Sequence, residues 1–454
     1  MTKCDSNVHQ EIAQQFCGDQ PEELVQGEIV RKRSMLAVGL AGATVAGLVA
    51  SVGVSSSAIA ATSSTPIVVG GDGDIAIAGG IAQGFQAGIY RFNKAGGLDG
   101  RKIQFTGFLD DGFSANTNLT NAQQLVQNQH VMVVAPMSSE VASASTGAFL
   151  AQSKVPFIGW SVNAAFETQP NWGFGINGSQ GNPVVQNLTV NQILDITNNV
   201  NTPSKVKIAY IAENIPGGII SNKALAGTAK YAKMTVVYQE APIPVIGTTN
   251  YAPYAQAIIG SGANVAFETL DSADAIGLAA ALKSAGFKGK IINGVTYFPG
   301  ELASQPSEAA ALNGVYVENE FPADENLTAA TKQAQKDLAS VGSPPYLTSG
   351  VSVGYWSAIL LEQMLKATLK NVGGDPNKVT SAAIQKTVVG GFTYSDPIAG
   401  GIGTEYFPAA STIPTGCGTM LLTTGTTFKQ EVPYQCPGAV NVVTKKVVNQ
   451  RTGK

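Results

Sequence analysis

The stretch from Ile67 to Asp111 constrains this chain more than any other. It opens on an apolar run, Ile67-Val68-Val69, passes through a Gly/Asp loop from Gly70 to Asp74, and continues as a helix-length segment ending Ile89-Tyr90-Arg91-Phe92-Asn93. Ala95-Gly96-Gly97-Leu98-Asp99-Gly100-Arg101 interrupts it, and a second strand, Lys102 to Phe108, closes on Leu109-Asp110-Asp111. An uninterrupted apolar run suits a parallel strand covered on both faces. Phe85, Ile89 and Phe92 recur at helical spacing and share one face. Gly96-Gly97 supplies the positive φ that ends a helix without a Cβ clash. Strand, helix, strand is the building block of a doubly wound sheet.

The same grammar repeats. A helix over 116–128 precedes the buried strand Val131-Met132-Val133-Val134, and a helix over 143–153 precedes Val155-Pro156-Phe157-Ile158. The Gly/Asn/Ser stretch from Asn177 to Asn182 is a first crossover, after which strands at 206–211, 235–238, 263–267, 290–292 and 314–317 alternate with helices. Phe321-Pro322 reads as a second crossover and Gly390 to Gly403 as a third. The expected fold class is α/β, two doubly wound parallel-sheet lobes joined by three crossovers. One lobe takes 66–180 and 321–388, the other 181–320 and 389–437, and 438–454 is a flexible tail.

Export is expected from the first 60 residues. Arg31-Lys32-Arg33 precedes an uncharged segment, Met35 to Val54, and Ala58-Ile59-Ala60 is a signal-peptidase pattern, so cleavage is expected near Ala60. A plain secretory and a twin-arginine route both remain open, as does an uncleaved anchor, since ~20 apolar residues span a bilayer. The mature protein is expected in the periplasm, cell envelope or outside. Cys4 and Cys17 would leave with the leader. Cys417 and Cys436 remain, an even pair in an oxidising compartment, and are expected to form a disulfide. Its loop of ~20 residues corresponds to roughly 3 kcal/mol in the chain-entropy estimate. Two thiols with no histidine nearby make a poor zinc set, so no metal is expected.

Composition removes several function classes. Charged residues make up 13% of the chain and the net charge is −3, which gives no electrostatic basis for nucleic-acid binding. Only His9 and His130 are histidines. Gly350-Val351-Ser352-Val353-Gly354 matches a nucleophile-elbow pattern, but no histidine follows His130 to serve as base, and the segment reads as the start of a helix. Gly71-x-Gly73-x-x-Ala76 imitates a dinucleotide fingerprint, yet Asp110-Asp111 falls too late for it. The two adjacent acids read as a strand-end turn. Ser138-Ser139 sits at the carboxyl end of a buried strand before a helix, where hydroxyls and free N–H groups suit a charged head group or an N-cap. Ser161 and Asn163 face the same crevice or are turn residues. Asp271 reads as an ammonium partner or as a helix N-cap.

The run Phe92-Asn93-Lys94-Ala95-Gly96-Gly97-Leu98-Asp99-Gly100-Arg101-Lys102-Ile103 resembles the hallmark of leucine/isoleucine/valine-type periplasmic binding proteins, the solute-binding components of ABC importers. Asp110-Asp111, Val133 to Ser139 and Val155 to Ile158 resemble the segments that follow it there, over roughly residues 66–436. The resemblance implies a ligand cleft between closing lobes, with Ser139, flanked by Ser138, holding an amino acid's charged head. Ser161 and Asn163 would complete that contact and Ile77 would line the pocket. In the second lobe Asn214, Leu270 or Asp271, and Tyr297 would face the cleft. Trp160 stands where the family often has a small residue, and the enclosing aromatics of the second lobe are not evident. The expected function is capture of a small polar molecule, an amino acid or amide, for delivery to a membrane permease, by a monomer without catalytic residues or cofactor. A sensor ectodomain and an exported hydrolase are the alternatives.

Overall fold

The computed structural model describes residues 65–76, 79–182, 184–245, 247–326, 328–395 and 404–454. The expectations placed on the leader, on Ile77 and on most of the third Gly-rich stretch lie outside these residues. In the first lobe, the parallel strands Ile67–Gly73, Ile103–Asp110, Val133–Ser138, Phe157–Trp160 and Gly173–Gly175 form one sheet. The second strand lies at one edge, the first beside it, and the remaining three follow in order on the other side. The second lobe repeats this order with Thr235–Ile243 at the edge, then Lys207–Glu213, Val265–Thr269, Lys290–Asn293 and Tyr316–Asn319. The hairpin Gly418–Thr424 and Thr427–Gln435 extends that sheet antiparallel to Tyr316–Asn319. In both sheets the strand order reverses beside the first strand of the lobe. Loops on either side of such a reversal part at the carboxyl ends of the strands and leave a crevice there.

The opening unit has the form its sequence implies. Phe85, Ile89 and Phe92 on the helix Ile81–Lys94 are buried, packed in a core with Tyr355, Trp356 and Ile359 of the long helix Ser349–Asn371. These helices meet closely because glycine faces backbone. A Cβ on Gly84 would lie 2.1 Å from the Val351 carbonyl oxygen, and one on Gly354 2.0 Å from that of Ile81. The Gly350–Gly354 pattern is thus a packing surface. Ser352 is fully buried, and its hydroxyl donates to the Leu347 carbonyl at 3.3 Å.

The motif after this helix is also structural. Asn93 donates to the Ile103 carbonyl and accepts from the Ile103 N–H, both at 2.8 Å, which registers the helix end on the next strand. Gly97 has φ 71°, and a Cβ there would lie 2.2 Å from the Arg101 carbonyl oxygen. Arg101 is buried and donates to the carbonyls of Thr65 at 2.9 Å and Val379 at 3.0 Å, tying the first strand to the later part of the lobe.

Two boundaries differ from expectation. Phe392, Tyr394, Phe407 and Ala410 pack in the first-lobe core with Phe174, so these four residues, placed beyond residue 388, belong with that lobe. The third crossing falls later, where Gly178 bridges Pro414. The tail is also ordered. Ala439–Asn441 pairs antiparallel with Val185–Asn187 and with Lys446–Val447, and Ala439 and Val440 are fully buried. Polar composition suggested fraying, but Ala439 and Val448 supply enough apolar surface to dock beside Val185 and Ile413. Cys417 and Cys436 form the expected disulfide across the open end of the hairpin.

Candidate functional site

A cavity of about 110 Å³ opens between the lobes. The first lobe contributes Glu140, Trp160 and Val162, from loops at the carboxyl ends of its third and fourth strands. The second lobe contributes Phe267, Leu270, Val295 and Glu318 from the ends of its own strands, and Gly218 and Ser221 from the helix Pro216–Tyr231. Gln180, Glu320 and Pro414, one at each crossing, form the floor. The lobes touch directly beside the cavity, where the Gly217 N–H donates to the Glu140 carbonyl at 3.1 Å.

Glu140, Glu268, Glu318 and Glu320 line this wall beside neutral amide and hydroxyl residues such as Gln186, Asn187 and Ser221. Glu320 accepts from Trp160 Nε1 at 3.1 Å, Gln180 Nε2 at 2.8 Å and Asn177 Nδ2 at 3.3 Å. Burial raises its pKa and those three donors pull it part of the way back. Glu318, two residues earlier and within the strand Tyr316–Asn319, is pushed up to about 7 by burial and by the charge of Glu320, while the Thr189 hydroxyl donates to it at 2.7 Å. Burial, then the charge of Asp271, raises Glu140 to about 7. Glu268 is fully buried with neither carboxyl oxygen hydrogen-bonded, and burial lifts its pKa well above the ordinary value. Among the described residues, no lysine, arginine or histidine lines the cavity. Such a wall offers hydrogen-bonding groups but no cationic partner for an anion. Trp160, Val162, Phe267, Leu270 and Val295 give it apolar surface.

The residues singled out in the sequence divide into two groups. Trp160 and Leu270 line the cavity. Ser138 is buried, and its carbonyl accepts from the Asp74 N–H at 2.7 Å. Ser139 is also buried, with its hydroxyl donating to Asp111 Oδ2 at 2.5 Å. The Ser161 hydroxyl donates to the Gly178 carbonyl and accepts from the Gln180 N–H at 3.2 Å. Asn163 donates to the Ser139 carbonyl at 2.7 Å and accepts from the Ala165 N–H at 3.0 Å. The Ser139 and Ser161 hydroxyls and the Asn163 amide thus hold the first-lobe loops, and none of these four residues lines the cavity. Asn214 is exposed and away from it. Tyr297 is buried, donates to Glu325 at 2.7 Å and accepts from the Asp324 N–H at 2.7 Å. Asp271 caps the helix Ser272–Ser284, accepting from the Asp274 N–H at 2.7 Å.

The sequence reading missed Glu140, Gln180, Glu318 and Glu320. One signal was available for the acids: Glu318 and Glu320 directly follow the apolar run Val315-Tyr316-Val317, at the carboxyl end of a buried parallel strand. Charges at that position have no core role and face the crevice.

Comparison with known proteins agrees with this architecture. A family model described as periplasmic binding protein matches residues 67–411, and the chain belongs to that family of solute-binding proteins. Its fold is the type I fold of that family, shared with a branched-chain amino acid transporter substrate-binding protein, LivJ, from Streptococcus pneumoniae in complex with isoleucine. That match has 18% identity and a TM-score of 0.61 and covers 82% of this chain and 100% of the other. A fatty acid ABC transporter substrate-binding protein from Thermomonospora curvata is similar at 15% identity and a TM-score of 0.65, over 86% of this chain and 96% of that one. An R. palustris solute-binding protein in complex with 4-hydroxybenzoate is similar at 16% identity and a TM-score of 0.61, over 82% and 97% of the two chains. No curated protein matches the chain by sequence.

Proposed function

We propose that this chain is an exported, extracytoplasmic binding protein that captures a small polar solute bearing N–H donors, an amino acid, an amide or another amine, and delivers it to an ABC-type permease. The observation that carries the ligand class is the wall itself: Glu140, Glu318 and Glu320 line the cavity with no basic residue beside them. The carboxylate ligands named for some of the similar proteins would find no cationic partner here, whereas an ammonium or amide N–H would find carboxyl acceptors. Capture would follow from lobe closure, in which the Gly217–Glu140 contact seals one side and Trp160 and Phe267 exclude water.

A thermal-shift screen tests this, because a ligand that binds only the folded state raises the melting temperature. Amino acids, primary amides, alkylamines, benzoates and fatty acids form the panel. Stabilisation by N–H donors is the expected result, accompanied by a change in Trp160 fluorescence that Trp160→Phe removes. Stabilisation by benzoate or a fatty acid alone would overturn the ligand class.

A further inference from the structure

The second lobe holds a separate cluster of acids. Glu213 ends the strand Lys207–Glu213, Asp271 caps the helix Ser272–Ser284, and Asp274 lies in that helix's first turn. One carboxylate oxygen from each lies within 4.8 Å of the other two. Asp274 is 2% exposed, and while its Oδ1 accepts from the Tyr251 hydroxyl at 2.6 Å, its Oδ2 is buried with no hydrogen-bond partner. Asp271 and Asp274 face a surface depression walled by Thr248, Thr249 and Tyr251. Gly247, with φ 74°, brings that loop against the acids, so that a Cβ on it would lie 3.2 Å from Asp274 Oδ1. None of the ion pairs among the described residues reaches this group. Glu140 of the first lobe adds negative charge from across the cleft.

We propose that Glu213, Asp271 and Asp274 form a binding site for a divalent cation of the calcium type. Calcium takes six to eight oxygens at about 2.3–2.6 Å, so oxygens sharing one ion lie up to about 5 Å apart, which is the spacing these carboxylates already have. The three side chains supply the charge. Tyr251, Thr248 and Thr249, on the same depression, offer neutral oxygens, and water completes the shell. Magnesium demands a near-ideal octahedron that an irregular set drawn from a strand end, a helix cap and a loop does not offer. The group contains no histidine or cysteine, which disfavours zinc and copper. A bound ion would also give a partner to Asp274 Oδ2, which is buried without a hydrogen bond of its own.

The test uses the full chain, stripped with a chelator and then titrated with calcium chloride, magnesium chloride or terbium chloride alone. Calcium is expected to raise the melting temperature, with a dissociation constant on the order of 10⁻⁴ M, as in extracellular modules. Magnesium at the same concentration has a smaller effect. Asp274→Asn and Glu213→Gln each weaken calcium binding at least tenfold. Both substitutions remove mutual repulsion between carboxylates and so keep the fold. Terbium is expected to luminesce on tyrosine excitation, and Tyr251→Phe removes most of that emission while the calcium-induced stabilisation persists. Absence of any calcium effect would overturn the proposal. So would an effect that survives Asp274→Asn and Glu213→Gln unchanged, or terbium emission indifferent to Tyr251→Phe.

Discussion

Glu318→Gln should make this protein more stable near neutral pH, and the gain should vanish in acid. The wild-type carboxyl ionises at about 7 in the folded chain against an ordinary 4.5, mainly because it is buried and secondarily because of the charge of Glu320, one residue past the end of its strand. Tyr210 also faces it, and is itself raised by burial and by Glu318. A carboxyl whose folded pKa is raised contributes stability that is complete below 4.5 and is lost as the pH climbs through about 7. Each pH unit in that interval is worth about 1.4 kcal/mol, so the full loss by pH 8 is roughly 3 kcal/mol, or nearer 2 kcal/mol after allowance for the part of Glu318 open to the cavity. Glutamine has nothing to ionise, and its carbonyl accepts from Thr189 as the carboxyl does. With an unfolding entropy of about 0.8 kcal/mol per degree for a body of this length, the variant should melt roughly 2–4 °C higher at pH 8. At pH 4 the two proteins should coincide. Glu140 and Glu213 slope in the same direction in both proteins, so the difference between variant and wild type isolates Glu318. Thermal unfolding followed by circular dichroism at intervals from pH 4 to 8 measures it. A difference independent of pH, or a variant less stable than wild type at pH 8, would refute the reasoning.

Other perturbations follow from the same geometry. Gly217→Ala would place a Cβ 2.9 Å from the Glu140 Cβ and carbonyl oxygen. It should weaken ligand binding by about tenfold, the worth of one lost interlobe hydrogen bond, with little change in melting temperature, and calorimetry on the best ligand of the screen checks it. Ser139→Ala removes a donor from buried Asp111, which then keeps Asn118 at 3.1 Å on the same oxygen. It should cost about 1–3 kcal/mol in urea unfolding and leave affinity unchanged, whereas lost affinity at full stability would return Ser139 to the ligand's side. Replacing Cys417 and Cys436 together by serine opens a loop with a sequence separation of 19 and should cost roughly 3 kcal/mol, read as the difference in urea midpoint between oxidised wild type and the variant.

Much of the fold was legible because it rests on short-range patterns. The run Ile67-Val68-Val69, the spacing of Phe85, Ile89 and Phe92, and the Gly96-Gly97 stop constrain backbone geometry within a few residues, and they identified strand, helix and turn without any knowledge of partners. The disulfide was readable for a related reason, since only Cys417 and Cys436 lie beyond the leader segment and two cysteines have one pairing available. The site was less legible. Ser139 carries the residue type and the position of a ligand contact, yet its hydroxyl goes to Asp111, which is 28 residues away in sequence. Asn163 is claimed by the Ser139 carbonyl and Tyr297 by Asp324 and Glu325, and no local pattern announces those claims.

By itself, then, the amino-acid order determined two lobes built from the same alternating units and a stapled hairpin, because each of these is encoded in periodicity or pairing arithmetic. Tertiary structure alone decided which polar groups line the space between the lobes. Glu140, Glu318 and Glu320 come from loops and strand ends of different lobes, and they converge only after both sheets have folded and approached. The reason is physical: hydrogen-bond capacity is spent at short range wherever a partner lies within about 3 Å, and which partners lie that close is a property of packing rather than of sequence distance.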